Sequence, residues 1–252
     1  YGGGDFQKPT TKVTLNDGNL SINNLQSGLF GGTANLNAKV QDPADTKLPL
    51  SIAVDSKMSS VALEPLMYAL SGSNRLKASG DVSLDFNVQT TGLSSYALVS
   101  ALQGKANLNG RSVVMKGFDL AQIGLAFVDS GKPIDRLGSI VGGATSGGET
   151  RFDTIDGAYD ISQGIIRISS MAMDGPSANI ASKGSSNLPA WTIDTIHTIT
   201  FKQAKDAGAF DVAIKGSLSN PGNTFGKGLF NDVLTRRLQQ KVQEKLPDVL
   251  GK

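Results

Sequence analysis

Cysteine is absent from the 252 residues, and histidine occurs only once, at His197. A chain without cysteine forms no disulfide, holds no thiolate-bound metal and offers no thiol nucleophile. A single histidine cannot complete a zinc site without further ligands. The nearest preceding carboxylate, Asp194, would face the opposite side of a regular strand, so an ordinary strand position is favoured over a catalytic one. We therefore expect no enzyme activity.

Charge is also scarce. Lysine and arginine number 24 and aspartate and glutamate 22, giving a net charge of +2 and a charged fraction of 18%. No large basic field is present to attract nucleic acid, so no nucleic-acid partner is expected. No stretch approaches the run of about 18 apolar residues that crosses a bilayer. The sequence starts at Tyr1 without methionine, which suggests a fragment or processed product, with any membrane anchor upstream.

Three polar features resemble ligand sites only superficially. Asp153, Asp156 and Asp160 lack the dense Asp/Asn loop and terminal glutamate of a calcium site, which favours turn and surface roles. The glycine-rich loop at 142–148 lacks the Gly-Lys-Ser/Thr ending of a phosphate cradle. Trp191 is not interleaved with basic residues, as a base-stacking platform requires. We expect neither a metal nor another cofactor.

The sequence is rich in glycine, with 30 residues, and hydrophobic residues make up 39%. Apolar and polar residues alternate along short stretches between turn signals, which is typical of strands with one buried face. Val13 and Leu15 precede an Asn-Asp-Gly turn, and the alternation resumes at Leu20 and Ile22. This pattern predicts a hairpin.

The predicted fold is mainly β: an extended, curved antiparallel sheet or groove of repeated strand-turn units. Residues 1–10 are interpreted as a linker or frayed terminus and residues 11–221 as the β domain. Helical spacing of apolar residues interrupts the strands near 61–71, 94–103 and 119–140, and predicts short helices there.

The alternating rows supply the candidate binding surface. One alternative is that these rows pack against one another in a closed, dry core, as in any β sandwich. If they form an open groove instead, its candidate residues are Leu20, Ile22, Leu36, Val40, Ile52, Val54, Leu84, Phe86, Val88, Leu108, Ile166, Ile168, Val212 and Ile214.

The last segment, 222–252, is predicted to be an amphipathic helix. One interpretation is a cap across one end of the sheet; the other is a helix that lies on an anionic membrane or docks a partner. Its candidate membrane or partner residues are Phe225, Leu229, Val233, Arg236, Arg237, Lys241 and Lys245.

A degenerate internal repeat links the two halves. Gly18, Leu20, Ile22 and Leu25 have the spacing of Gly164, Ile166, Ile168 and Met171. An Ala-Asn-aliphatic triplet follows each set, at 34–36 and 178–180, and a third copy stands at 106–108. Strand-turn units that cannot bury a face alone are expected to stack along one sheet.

Four stretches, in this order, resemble the C-terminal region of the AsmA family of bacterial envelope proteins. The first runs from Leu-Asn-Asp-Gly at 15–18 to Leu-Phe-Gly-Gly-Thr-Ala at 29–34. The second, at 84–106, combines a strand, Gly-Leu-Ser, a short helix and Leu-Gln-Gly-Lys-Ala. The third is Thr-Arg-Phe at 150–152 with Gly-Ala-Tyr-Asp-Ile at 157–161 and Gly-Ile-Ile at 164–166. The fourth is Gly-Ser-Leu-Ser-Asn-Pro at 216–221.

This resemblance implies a periplasmic β protein of a Gram-negative bacterium, tethered to the inner membrane by an upstream helix. It implies the repeating β-groove class of lipid-transfer proteins, with phospholipid acyl chains as cargo, and no catalytic residues. Envelope or outer-membrane assembly proteins are the implied partners. The alternative is a non-catalytic periplasmic scaffold with a closed β core and no lipid. The basic tail after Pro221 is a departure from the family pattern.

Overall fold

The structure is a computed structural model of the chain. It describes residues 6–42, 47–71, 77–128, 143–144, 147–204 and 208–223, together with the single positions 235 and 239. The predicted amphipathic helix, with Phe225, Leu229, Val233, Arg236, Arg237, Lys241 and Lys245, lies outside the described residues.

Twelve strands and three helices make up the described part. The first six strands are β1 (Gln7–Asn16), β2 (Asn19–Leu29), β3 (Gly32–Gln41), β4 (Leu50–Ala62), β5 (Ala78–Gly92) and β6 (Gln103–Lys116). The others are β7 (Glu149–Ser162), β8 (Ile165–Asp174), β9 (Ala178–Asn187), β10 (Thr192–Phe201), β11 (Ala209–Ser217) and β12 (Asn220–Asn223). The helices are α1 (Leu63–Ser71), α2 (Ser95–Ser100) and α3 (Leu120–Val128).

All twelve strands form one antiparallel sheet in which spatial order equals chain order, from β1 to β12. The sheet is open and curved, so the predicted mainly β architecture is confirmed. Its edges are β1, which is exposed along its whole length, and the four-residue β12. β12 was not predicted, because Asn-Pro-Gly-Asn lacks both alternation and β-branched residues.

Local signals explain the elements that the sequence predicted. The β1–β2 hairpin closes at Asp17 and Gly18, both with positive φ (46° and 75°), as a two-residue primed turn requires. In α2, the Ser94 side chain accepts a hydrogen bond from the backbone N–H of Ala97 and caps the helix. All three helices fall inside their predicted windows. Residues 129–140 of the third window lie outside the described part.

The meander gives the sheet two distinct ends. We call one the core end: it carries the connections β2–β3, β4–β5, β6–β7, β8–β9 and β10–β11, with α1 and α3 inserted into the second and third. We call the other the rim end: it carries the connections β1–β2, β3–β4, β5–β6, β7–β8, β9–β10 and β11–β12, with α2 inserted into the third.

The closed hydrophobic core lies toward the core end. Residues of α1 and α3 join it, including Leu66 and Ile123. Its largest fully buried side chains are Phe152, Phe201, Phe210, Leu120, Ile123, Val61 and Val113. The two inserted helices therefore cover one end of a sheet that is otherwise a single layer.

The repeat found in the sequence corresponds to equivalent pieces of the sheet. Its two members occupy β2–β3 and β8–β9, and each starts after a two-residue turn with positive φ, at 17–18 and 163–164. The pairing register shifts in both, between Ile22 and Leu25 and between Arg167 and Ala172. Ala34 and Ala178, the first residues of the repeated triplets, are both buried.

Within the described residues, we find no helix that combines the length and the apolar character needed to span a membrane.

Candidate functional site: the apolar face of the sheet

All groove candidates lie on one face of the sheet. Residues directly opposite each other on neighbouring strands share a face, and alternate residues of a strand return to it. One cross-strand row that connects the candidates consists of Ile22, Ala38, Val54, Val88, Gly104, Ile161 and Ile166. It continues through Ser186 and Ile193 to Gly216, which fixes the phase of Val212 and Ile214 on the same face. We call this surface the apolar face.

Two flanking rows widen the apolar face. Toward the core end lie Leu25, Leu36, Ser56, Phe86, Ala106, Tyr159 and Ile168. Toward the rim end lie Leu15, Leu20, Val40, Ile52 and Thr90. The apolar face therefore consists of several parallel rows, and each row runs across several neighbouring strands.

The solvent exposure of the candidate residues differs between the two ends of the strands. Val212 is buried, with 5% of its surface exposed, and belongs to the closed core. Leu108 is half-buried and packs against that core. The other candidates are half-buried and lie outside the core cluster. The rows nearer the rim end thus keep solvent-accessible apolar surface, whereas those at the core end are dry.

Several residues of this face are not among the candidates predicted from the sequence. Val13 and Leu15 extend it onto β1 and are 55% and 74% exposed; their alternation was recognised without being assigned to the surface. Tyr159 and Ile161 share the apolar face, while Ala158 lies on the other.

The opposite face is polar. Asp55 accepts a hydrogen bond from the Asn87 side chain (3.1 Å), and Lys215 pairs with Asp194 at 3.0 Å across neighbouring strands. Such exposed ion pairs contribute about 0–1 kcal/mol each. Because these polar and charged side chains cover one face of the described sheet, an apolar ligand is expected to bind on the other, the apolar face.

His197 lies on the apolar face and is held by two hydroxyl groups. Nδ1 is 2.8 Å from Oγ of Ser182, and Nε2 is 3.1 Å from Oγ1 of Thr195. Burial lowers the pKa of His197, so the neutral ring is favoured. Asp194 points to the other face, as the alternation predicted, and binds Lys215. The histidine therefore has no carboxylate from its own strand to orient it as a base.

Two other polar groups interrupt the apolar face. Tyr159 is half-buried, its hydroxyl lies 3.5 Å from the Met171 sulfur, and burial raises its pKa. Ser56 is 3% exposed, and in the described part of the chain its hydroxyl has no hydrogen-bond partner. These groups are spread along the face without converging on one point.

The described residues contain no group of three or more His, Asp or Glu side chains that could hold a metal ion. Asp156 instead accepts a hydrogen bond from Asn109 (2.7 Å), and Asp160 pairs with Lys105 (3.7 Å). Of the glycine-rich loop at 142–148, the structure describes positions 143, 144, 147 and 148.

Comparison with known families identifies the chain. The model of the AsmA family matches residues 6–171. The chain belongs to the AsmA family. No curated protein and no solved structure matches it.

The AsmA match maps onto a defined part of the sheet, from the start of β1 to Met171 in β8. It contains both flanking rows, the central row from Ile22 to Ile166 and all three helices, whereas β9–β12, with His197 and Val212, lie beyond it. Of the four resembling stretches, the one at 216–221 also falls outside the match. Membership of the AsmA family fits lipid transport associated with the cell envelope in general.

Proposed function

We propose that this AsmA-family chain works in the periplasm, tethered to the inner membrane by an upstream segment, and holds phospholipid acyl chains on its apolar face. In this role it contributes to phospholipid transport between the inner and outer membranes and to outer-membrane assembly. The observation that supports the proposal is the position of the half-buried apolar rows outside the closed core. We propose no catalytic activity, metal or cofactor.

The dimensions of the apolar face suit an acyl chain. From β2 to β8 the row that starts at Ile22 crosses six interstrand spacings, or about 29 Å at about 4.8 Å each. Each methylene that leaves water for an apolar surface contributes about 0.8 kcal/mol. A chain that lies along this row gains binding energy at every strand, while a charged headgroup stays in water.

Native mass spectrometry of the purified chain tests the proposal. We expect phospholipid to co-purify with the parent chain and Val88→Glu to lose it, because a carboxylate at a half-buried position opposes acyl burial. The matched control is Gln89→Glu: this exposed neighbour in β5 lies on the polar face, and the variant should keep its lipid. Circular dichroism and thermal unfolding verify that both variants fold.

A non-catalytic scaffold is the second candidate. The observation that favours it is the closed core, which accounts for Val212 and supports Leu108 without any ligand. A parent chain that is reproducibly lipid-free and does not bind a fluorescent phospholipid would establish this alternative. Equal lipid loading of the Val88 and Gln89 variants would likewise contradict binding on the apolar face.

A further inference from the structure

The last four connections of the rim end contain no charged residue. They comprise residues 93–102 with α2, 163–164, 188–191 and 218–219. The first two connections of that end differ, since they carry Asp17 and, between Asp42 and Pro49, further charged residues. We call the four uncharged connections the linked rim. Four consecutive surface connections without Asp, Glu, Lys or Arg are unusual, because charged residues normally populate exposed loops.

Backbone hydrogen bonds join these connections into one continuous structure. The N–H of Gly164 donates to the Leu102 carbonyl (3.0 Å), and the N–H of Leu188 donates to the Gly164 carbonyl (3.0 Å). The N–H of Leu218 donates to the Trp191 carbonyl (3.0 Å) and completes the series. A Cβ at Gly164 would lie 2.4 Å from the Val99 carbonyl oxygen, so glycine is needed where α2 and this turn meet. The linked rim is thus a fixed surface.

Large apolar and aromatic side chains project from the linked rim. Leu93 is 66% exposed, Tyr96 67%, Trp191 54% and Val99 37%. Tyrosine and tryptophan with an apolar body and a polar tip are the residues enriched where membrane meets water. Exposed apolar side chains gathered on one fixed surface indicate an interaction site.

Trp191 provides an independent observation. Its φ is 54°, a left-handed conformation that is a genuine outlier for a bulky residue. Its indole Nε1–H already donates to Oγ of Ser219 at 2.7 Å, yet the side chain remains more than half exposed. The β9–β10 turn, which the Trp191 N–H closes by donating to the Leu188 carbonyl (3.1 Å), therefore holds an aromatic ring largely in solvent. Strained residues of this kind cluster at functional sites.

We infer that the linked rim docks on a lipid bilayer, with Leu93, Tyr96, Val99 and Trp191 entering the interfacial region. The linked rim combines exposed apolar and aromatic side chains with an absence of charged groups, which matches the interfacial layer of a bilayer, whereas a protein interface is bordered by a polar rim. Since the linked rim carries no charge, binding does not depend on anionic lipid or on salt concentration. This inference goes beyond lipid binding in the groove, because it assigns the site where the sheet meets the membrane.

Trp191 is the only tryptophan of the chain, so its fluorescence reports this contact directly. We expect vesicles of pure phosphatidylcholine to shift the emission of the full 252-residue chain to shorter wavelength. Lipids brominated near the headgroup end of the acyl chain should quench it more than lipids brominated near the methyl end. The shift should persist at high salt. Unchanged emission in the presence of vesicles would overturn the inference, whether or not the chain sediments with them.

Paired variants locate the contact. Leu93→Ser and Tyr96→Ser should each weaken partitioning by about tenfold, the factor expected when one large apolar side chain no longer enters the lipid. The matched controls are Leu125→Ser and Tyr68→Ser, which change comparably exposed residues of α3 and α1 at the core end and should bind as the parent does. If both rim variants bind vesicles as well as the controls do, another segment makes the contact and the inference is wrong.

Failure of this inference and failure of the groove proposal give different results. Val88→Glu removes apolar binding surface within the sheet and leaves the linked rim intact, so it should lose co-purified lipid but retain vesicle binding. A chain that carries lipid but leaves Trp191 emission unchanged on vesicles overturns the docking inference alone.

Discussion

Oγ of Ser182 lies 2.8 Å from Nδ1 of His197, and this pair sits on the apolar face of the sheet. With Thr195 at Nε2, both ring nitrogens have a hydroxyl partner, and a neutral imidazole satisfies such partners with one donor and one acceptor. The arrangement explains how a polar ring is accommodated beside an apolar core without a carboxylate. Because His197 is the only histidine of the chain, its protonation near neutral pH can be measured without overlap from another histidine.

The stability of the chain is expected to fall as the pH drops below the ordinary pKa of histidine. Burial lowers the pKa of His197 below its usual value of 6.5, so the unfolded state takes up its proton first. Above that pH, His197 is neutral in both the folded and the unfolded state, and the free energy of unfolding has its full value with respect to this residue. It decreases as the pH falls through 6.5 toward the lower pKa of the folded chain. Urea unfolding between about pH 7.5 and about pH 5.5 measures this dependence.

His197→Gln is the matched control, because glutamine keeps a donor and an acceptor but does not titrate. Its stability should vary less over the same interval. Proton NMR of the single histidine gives its pKa directly, and a value at or above 6.5 would contradict the burial argument.

Truncation of Phe201 tests the closed core. This side chain is 0% exposed, and its ring centroid lies 5.7 Å from that of Phe210. We expect Phe201→Ala to reduce the free energy of unfolding by about 3–5 kcal/mol, since it removes buried contacts and leaves a cavity. Phe6→Ala, at a residue that is 53% exposed, should change it by less than about 0.5 kcal/mol. Similar losses in the two variants would contradict the assigned position of the core.

Two turn glycines allow backbone strain to be separated from steric contact. Gly18 and Gly31 have similar φ values of 75° and 80°. A Cβ at Gly31 meets nothing within 4 Å, whereas one at Gly18 would lie 2.2 Å from the backbone oxygen of Asp42. Gly31→Ala should therefore cost only the left-handed penalty of about 1–2 kcal/mol. Gly18→Ala should lower the free energy of unfolding, measured by chemical denaturation, clearly more than Gly31→Ala does. Equal losses in the two variants would contradict the close approach of Gly18 to the Asp42 carbonyl oxygen.

Filling the apolar face should displace lipid. Ala106 is half-buried between Phe86 and Tyr159 on that face, so Ala106→Trp occupies space proposed for an acyl chain. Ala53 is exposed on the polar face, and Ala53→Trp adds the same volume there. Native mass spectrometry should show fewer bound phospholipids for the first variant only. Undiminished loading of the Ala106 variant would place the lipid elsewhere.

Much of the fold was predictable because its signals are local. The Asn-Asp-Gly turn specified the β1–β2 hairpin, and the helical spacing of Leu63 and Leu66 marked α1. Strict two-residue alternation also assigned Leu20, Val54 and Ile166 to one face without knowledge of strand order. These predictions succeed because neighbouring residues alone determine turn geometry and side-chain phase.

The features that depend on distant contacts were less accessible. Val88 and Val212 have the same alternation, yet only Val212 is buried, because the core closes at the end where α1 and α3 are inserted. Trp191 lies in the β9–β10 connection at positive φ. Its partner, Ser219, is 28 residues away, so no local pattern could place it.

The order of the strands has a consequence for how the chain assembles. Because every strand pairs only with its predecessor and its successor, no strand must wait for a distant segment before it finds its partner. Most neighbouring strands are joined by short connections, the longest being residues 117–148 between β6 and β7. Hairpins with short sequence separation close faster than pairings between remote segments. The sheet can therefore grow from its first hairpin at the pace of synthesis, one strand at a time, and each new strand covers the edge left by the last.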